Sequence, residues 1–296
     1  MTALTPRQAF LRACTLDVAV RKPGNVSLHA AGHGMQAAQF LASASVAADA
    51  ICQRGAPVGQ RIEAAVVATR AAVGCNTNLG ILLLCAPLAC AAESTFLPLQ
   101  QALQQVLAGL TVDDAAAAFR AIAHANPGGL GDAPEQDVRQ APSVTLLQAM
   151  ALAADRDRIA AQYRDGFAEV FAFAQGLPAG FCLPAPAATT PADATTPADA
   201  AAPADAMTTA AVQGLYLRWL GSGPDSHIVR KQGKAVAQNV MSAAQGWQHR
   251  GASAVPLDAD PAFADWDLAL KHAGVNPGTS ADLTVASLMA AGLAPG

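Results

Sequence analysis

The sequence predicts an all-α protein, and three observations carry that prediction. Apolar residues recur at helical spacing along most of the chain. Ala-rich stretches follow one another. Val/Ile/Thr runs of strand length, bounded by turns, are scarce. Ala is the best helix former because it loses no side-chain entropy and buries no polar group. Aromatic residues make up only 5% of a chain that is 52% hydrophobic, so close Ala-mediated helix packing must fill the core.

The elements follow in order. Phe10, Leu11, Cys14 and Val18 share one face of a first helix. Helical stretches then cover Gln36–Cys52, Gln60–Val73, Leu79–Ala92, Leu99–Leu110 and Asp113–His124. The run LGILLLCAPLACAA, Leu79–Ala92, is the longest apolar one. Pro87 interrupts it, it falls short of the about 20 residues of a membrane span, and it reads as a buried helix. The segment PAPAATTPADATTPADAAAPADA, Pro184–Ala206, contains TTPADA twice and AAPADA once. Such repeats bury too little apolar surface to offset chain entropy, which predicts a disordered insertion. Polar motifs lie on both sides of it. It therefore reads as a loop within one helical catalytic domain formed by residues 1–183 and 207–296, although 296 residues also fit two small domains.

Composition narrows the function classes. A net charge of −4 argues against a nucleic-acid surface but not against a small anionic ligand, which needs only a few local cations. The six cysteines, Cys14, Cys52, Cys75, Cys85, Cys90 and Cys182, form no C-x-x-C pair. They read as small buried thiols rather than zinc ligands or a disulfide framework. The N-terminal stretch MTALTPRQAFLRACTL has no apolar signal core, so the protein reads as cytoplasmic, with no membrane partner. Exposed Ala faces are compatible with a helical homodimer.

Polar residues gather at five places, mostly at expected helix starts. RKPGNVSLHAAGHG, Arg21–Gly34, concentrates cations and turn residues in an apolar chain. GCNTNLG, Gly74–Gly80, leads into the apolar helix, and Asn76, Thr77 or Asn78 can cap it. NPGGLGDAPEQDVR, Asn126–Arg139, carries Asp132, Glu135 and Asp137. Carboxylates so spaced suit Mg²⁺, which takes one or two protein carboxylates and keeps several waters; the plainer reading is an acidic solvated loop. In SGPDSHIVRKQGK, Ser222–Lys234, Asp225 or Ser226 is a natural N-cap. His227, Arg230, Lys231 and Lys234 then fall on one helical stripe that calls for an anion. In NPGTSADLTVASLM, Asn276–Met289, Thr279 and Asp282 fit a capping box, and the free amides of the first turn make an anion site. AADRDRIAAQYRDG, Ala153–Gly166, adds Asp155, Asp157, Gln162 and Tyr163, and alone reads as surface i,i+3 and i,i+4 pairing. The phosphate-loop, dinucleotide and nucleophile-elbow motifs are absent. The residues alone reach a Mg²⁺-nucleotide or polyphosphate site and no further.

The ordered set KPGNVS, NTNLG, GLGDAPEQDV, RDRIAAQY, PDSHIVRKQG and NPGTSADLT resembles the triphosphoribosyl-dephospho-CoA synthase family. The resemblance runs from about Arg12 to Leu288, interrupted by the Pro/Ala/Thr segment. It implies an all-helical fold and transfer of the triphosphoribosyl group of ATP to 3'-dephospho-CoA with release of adenine. Such chemistry must hold a triphosphate with Mg²⁺, assist the leaving base and orient or deprotonate an alcohol. On that resemblance Lys22, Arg230 and Lys231 are candidates for phosphate. Asn25 and Ser27 would orient ribose or acceptor hydroxyls, with His29 behind them and His33 merely on the loop. Asn76, Thr77, Asn78, Gly80, Gly278 and Thr279 complete the nucleotide-binding set. Asp132, Asp137 and Asp157 would serve Mg²⁺ or a cation-like ribosyl centre. His227 would protonate adenine, and Asp225 or Asp282 would accept the alcohol proton.

The chain departs from the KPGLVD and NTHKG forms of citrate-lyase members. Ser27 replaces an acid, and Asn78-Leu79 replaces a His-Lys pair. The same transfer to another acceptor, such as a methanopterin precursor, is the first alternative. A Mg²⁺-dependent nucleotide or phosphosugar hydrolase or kinase is the second, and a non-catalytic nucleotide-binding protein the third.

Overall fold

A computed structural model describes residues 4–125, 140–178, 181, 183, 204–250 and 256–294. Fourteen α-helices lie among these residues. Thr5 caps α1 (Pro6–Ala19) through the Gln8 amide, with Pro6 in the first turn, where its missing N–H is harmless. Next come α2 (Ala37–Ile51), α3 (Val58–Val73), α4 (Leu79–Ala91), α5 (Leu99–Ala108) and α6 (Val112–Ala125). These match the sequence expectation to within two residues at each end. Pro87 sits inside α4 without ending it.

The second half comprises α7 (Leu146–Ala153), α8 (Arg158–Arg164), α9 (Ala168–Gln175), α10 (Ala206–Ser222), α11 (Ser226–Gln232), α12 (Lys234–Arg250), α13 (Pro261–His272) and α14 (Gly278–Leu293), with a 3₁₀ turn at Leu257–Ala259. Among the described residues there is no strand, only isolated bridges at Ser27–Ala30 and Gly32–Met35.

Helix α14 is buried on nearly every face. It joins α1, α4 and α9 in a large apolar core and meets α11 at its own N-terminus. A second apolar core gathers Tyr216, Leu220, Ile228, Val240, Trp247 and Phe263 from α10 to α13. Helix α10 serves both, with Val212, Leu215 and Trp219 turned to the first and Tyr216, Leu217 and Leu220 to the second. The five described cysteines, Cys14, Cys52, Cys75, Cys85 and Cys90, are free thiols. No described helix is long and apolar enough to cross a membrane.

Small residues set the helix spacing, as the scarcity of aromatics requires. Gly59 of α3 lies against the backbone of α6 and donates its N–H to Asp114 Oδ1 at 2.8 Å. A Cβ there would come within 2.5 Å of the Asp114 carbonyl oxygen. Gly59→Ala is expected to cost about 2 kcal/mol through overpacking, read as a drop of several degrees in melting temperature. An unchanged melting curve would mean that α3 and α6 are not held at this distance.

Four sequence expectations need correction. Most of the predicted insertion, residues 184–203, lies outside the described residues. Its last three residues belong to the fold: Ala204 packs on the core and Asp205 caps α10, accepting from the Thr208 N–H at 2.8 Å. The last three residues of the repeat, Ala204 to Ala206, thus lead into a helix. The cationic stripe is interrupted, because Gly233 at φ 90° ends α11 before Lys234 opens α12. The Thr279–Asp282 capping box does not form. Helix α14 begins at Gly278, so both residues are already inside it. The Asp155–Tyr163 stretch is not simple surface pairing: Asp157 caps α8, Gln162 is buried, and the buried Tyr163 hydroxyl donates to the Leu83 carbonyl at 2.6 Å.

Candidate active site

The opening loop is tied to the helices around it along much of its length. Gly24 takes φ 81°, and a Cβ there would lie 2.7 Å from Pro277 Cδ. A glycine is needed on both counts. Its N–H donates to Asp267 Oδ1 at 2.9 Å, and His33 Nε2 sits 2.8 Å from its carbonyl. The Tyr216 hydroxyl donates to the Pro23 carbonyl at 2.7 Å. Lys271 Nζ bridges Asp267 Oδ2 at 2.9 Å and the Ala30 carbonyl at 3.1 Å. Loop 21–35 is therefore pinned by α10, α13 and the start of α14. His33 does more than sit on the loop, and His29 is exposed on it.

This pinning buries Lys22, one of the three cations assigned to phosphate. Lys22 is wholly buried; its ammonium meets Asp17 Oδ1 at 3.0 Å and donates to Asn25 Oδ1 at 2.8 Å. It therefore neutralises a carboxylate inside the fold and presents no charge to solvent. Burial pushes the Asp17 pKa up, and Lys22 opposes the shift. Asn25 passes the network on, with Nδ2 donating to Asn276 Oδ1 at 3.1 Å. Ser27 is also buried, and its hydroxyl has no hydrogen-bond partner among the described residues.

Asp225 ties two helix starts together. It is fully buried. Oδ1 accepts from the backbone N–H groups of His227 and Ile228 at 2.9 and 3.1 Å. Oδ2 accepts from the Ser280 N–H at 2.7 Å and from the Ser280 hydroxyl at 2.8 Å. One carboxylate thus caps α11 and supplies the first turn of α14, replacing the capping box the sequence suggested. Thr279 Oγ1 accepts from the His227 N–H at 3.1 Å and closes the junction.

Asp282 stands at the centre of this junction, on the second turn of α14. It accepts no hydrogen bond from a described residue, yet faces α4 so closely that a Cβ on Gly80 would lie 2.0 Å from its Oδ2. Gly80 is thus required as space for a carboxyl group. Burial, then the neighbouring carboxylates Asp17 and Asp225, push the Asp282 pKa well above the ordinary range; Arg230 opposes them. The His227 ring stands at the mouth of the same junction, 3.4 Å from where a Gly278 Cβ would be. Burial lowers its pKa, helped by Arg230, Lys231 and His33 and opposed by Asp225.

The remaining candidates divide. Arg230 donates to Asp157 Oδ2, at 2.6 Å, while Asp157 Oδ1 caps α8 at Ile159 and Ala160. Both Asp157 oxygens are thus already engaged by protein donors. Lys231 is exposed on α11. The NTN turn serves the fold: Asn76 accepts from the Leu79 N–H at 3.1 Å, Thr77 bonds Ser43 at 2.6 Å, and Asn78 bonds Thr69 at 3.2 Å. Asp132 and Asp137 lie outside the described residues. Among the described residues no three His, Cys, Asp or Glu side chains come together as a metal site.

Sequence reading missed Asp17, Asp267 and Asn276. Asp17 was detectable, since it falls three residues after Cys14 and seven after Phe10, a carboxylate on the apolar face of α1.

Comparison with known proteins agrees with this architecture. No curated protein sequence matches the chain. Among solved structures, a protein assigned as a triphosphoribosyl-dephospho-CoA synthase from Archaeoglobus fulgidus superposes with a TM-score of 0.61 at 21% identity, covering 85% of this chain and 97% of that one. At that identity the likeness speaks for the fold. The model of the ATP:dephospho-CoA triphosphoribosyl transferase family matches residues 3–295. The chain therefore belongs to that family, whose reaction moves the triphosphoribosyl group of ATP onto dephospho-CoA.

Proposed function

We propose that the junction of α1, α4, α8, α11 and α14 is where this transferase brings the C1' of ATP against an acceptor hydroxyl. The observation that carries the reading is the place of Asp282: a carboxyl group that accepts no hydrogen bond from a described residue, pressed against Gly80 at the meeting point of four of the five polar motifs, with its pKa pushed well above the ordinary range. In the reaction the acceptor oxygen forms a bond to C1', and the C1'–N9 bond breaks with its electron pair moving onto adenine. The leaving base needs a proton and the acceptor hydroxyl must lose one.

The environments support a division of labour that reverses the one expected from sequence. Asp282, whose pKa burial and the neighbouring carboxylates push well above the ordinary range, is suited to donate a proton to the departing adenine. His227 is neutral and takes the proton of the acceptor hydroxyl. Proton exchange with solvent then resets both. The Asp225 and Asp157 carboxylates lie near Asp282, and their negative charge favours a ribosyl centre that becomes cation-like there. Asp225 acts as the double cap that holds His227, not as the base. Arg230, paired with Asp157, and exposed Lys231 are the cations open to the triphosphate.

Asp157 is engaged by Arg230 and by its cap, and the described residues gather no three His, Cys, Asp or Glu side chains into a dedicated Mg²⁺ cage. Mg²⁺ enters as the counter-ion of ATP, with Asp132 and Asp137 as the carboxylates assigned to it.

Incubation with Mg-ATP and dephospho-CoA tests the reading. Free adenine in equal amount to the triphosphoribosylated product is expected. ADP or free phosphate would favour a kinase or hydrolase. Intact ATP with measurable binding would favour a binding protein.

A further inference from the structure

The amide network fixes which atoms the site can offer. The Lys22 ammonium is a donor only. The Asn25 atom that meets it at 2.8 Å must therefore be the oxygen. That turns Nδ2 of Asn25 toward Asn276, at 3.1 Å, so the facing atom of Asn276 must also be its oxygen. The assignment follows from the chain of donors and not from the choice of amide rotamer. Lys22 is itself held by buried Asp17 at 3.0 Å, and both Lys22 and Asn25 are buried. Asn276 is only partly buried, and no described residue accepts a hydrogen bond from its Nδ2. Its amide lies beside the His227 ring, the two flanking the place where a Cβ on Gly278 would sit, 3.4 Å from His227 Nδ1 and 3.8 Å from Asn276 Oδ1.

We propose that Asn276 binds substrate through its two Nδ2 donors, in an orientation imposed by Lys22 through Asn25. The partner is an oxygen acceptor, either a phosphate oxygen of ATP or a hydroxyl oxygen of the acceptor substrate. This rests on the transferase reading above. It gives the buried lysine of the opening loop a task without phosphate contact: it sets the polarity of a half-buried amide beside the His227 ring. An Asn25 free to turn over would let Asn276 turn over too and present its oxygen, which repels phosphate and cannot donate to a hydroxyl oxygen.

The test is Asn276→Asp in the full chain. It keeps the oxygen that accepts from Asn25 and the shape of the side chain, and exchanges the donors for a charged acceptor. The melting temperature is expected to stay near wild type. The KM of one substrate is expected to rise about tenfold or more, the effect of losing a hydrogen bond to a charged or buried group. A rise confined to ATP assigns the donors to phosphate; one confined to dephospho-CoA assigns them to the acceptor. Asn25→Asp, which keeps an oxygen for Lys22 but loses the donor to Asn276, is expected to raise the same KM by a smaller factor. Values of both KM within about twofold of wild type in Asn276→Asp would overturn the proposal. Absence of adenine release by wild type would overturn the transferase reading instead, and calorimetric binding of Mg-ATP and of dephospho-CoA to wild type and Asn276→Asp would still decide the role of Asn276.

Discussion

Asp282→Asn is expected to slow adenine release about a thousandfold while making the protein more stable. The rate loss is the usual size for removing a positioned general acid. The stability gain follows from the environment of the carboxyl group, which accepts no hydrogen bond from a described residue and faces Asp17 and Asp225. Its folded-state pKa lies above the unfolded value, so the folded chain binds the proton more tightly. Stability from this group is fully present at acid pH, below about 3.9, and is lost as pH rises toward the raised folded value. The amide never ionises, so the gain in melting temperature should be larger at pH 8 than at pH 5.

The same shifts set the pH profile of turnover. In the wild type the rate should rise as His227 loses its proton, at a pH below the ordinary value of about 6.5, and fall as Asp282 loses its own. In Asp282→Asn the residual rate should keep the rising limb and lose the falling one. An alkaline limb that survives in the variant would assign it to another group. A variant with nearly full activity would remove Asp282 from the chemistry.

The helices were legible because their signal is local. The apolar face of α1, the Ala-rich α2 and α3 and the Leu run of α4 are set by periodicity and propensity within one element. The site was legible as a list of motifs but not as an arrangement. Asp225 reads from sequence as a cap for the helix after it, which it is. That its other oxygen supplies a helix start 55 residues downstream is a tertiary fact that no local pattern carries. Lys22 likewise reads as a loop cation. Only the approach of α1 reveals Asp17 beside it and turns a phosphate ligand into a buried ion pair. Asp267 and Lys271 sit on a helix with ordinary surface spacing, and their task appears only when α13 is laid against loop 21–35. Gly80 was singled out by its motif, but the reason, space for a carboxyl group from α14, lies in the packing.

Asp225→Ala should produce the largest stability loss among these variants, about 4 kcal/mol. The side chain is fully buried and satisfies three backbone N–H groups and one hydroxyl. Losing an N-cap alone costs about 1 kcal/mol, and each buried donor left without a partner adds about 1–3 kcal/mol unless water replaces it. Helix α11 is especially dependent on this residue. Its seven residues are too few to hold a helix in isolation, and they carry His227 and Arg230 into the site. Asp225→Asn separates holding from proton transfer. The amide oxygen can still cap α11, but its NH₂ group faces the Ser280 N–H, so the contact with α14 is lost. If Asp225 is a cap, this variant should melt at a temperature between those of wild type and Asp225→Ala. It should keep measurable adenine release below its melting point, with turnover and stability falling together along the series. If Asp225 takes the acceptor proton, Asp225→Asn should abolish turnover even under conditions where its circular dichroism and melting curve show a fully folded chain. Three helix amides and one hydroxyl engage both oxygens and favour the first outcome, because a base must release one of these contacts to reach a substrate hydroxyl.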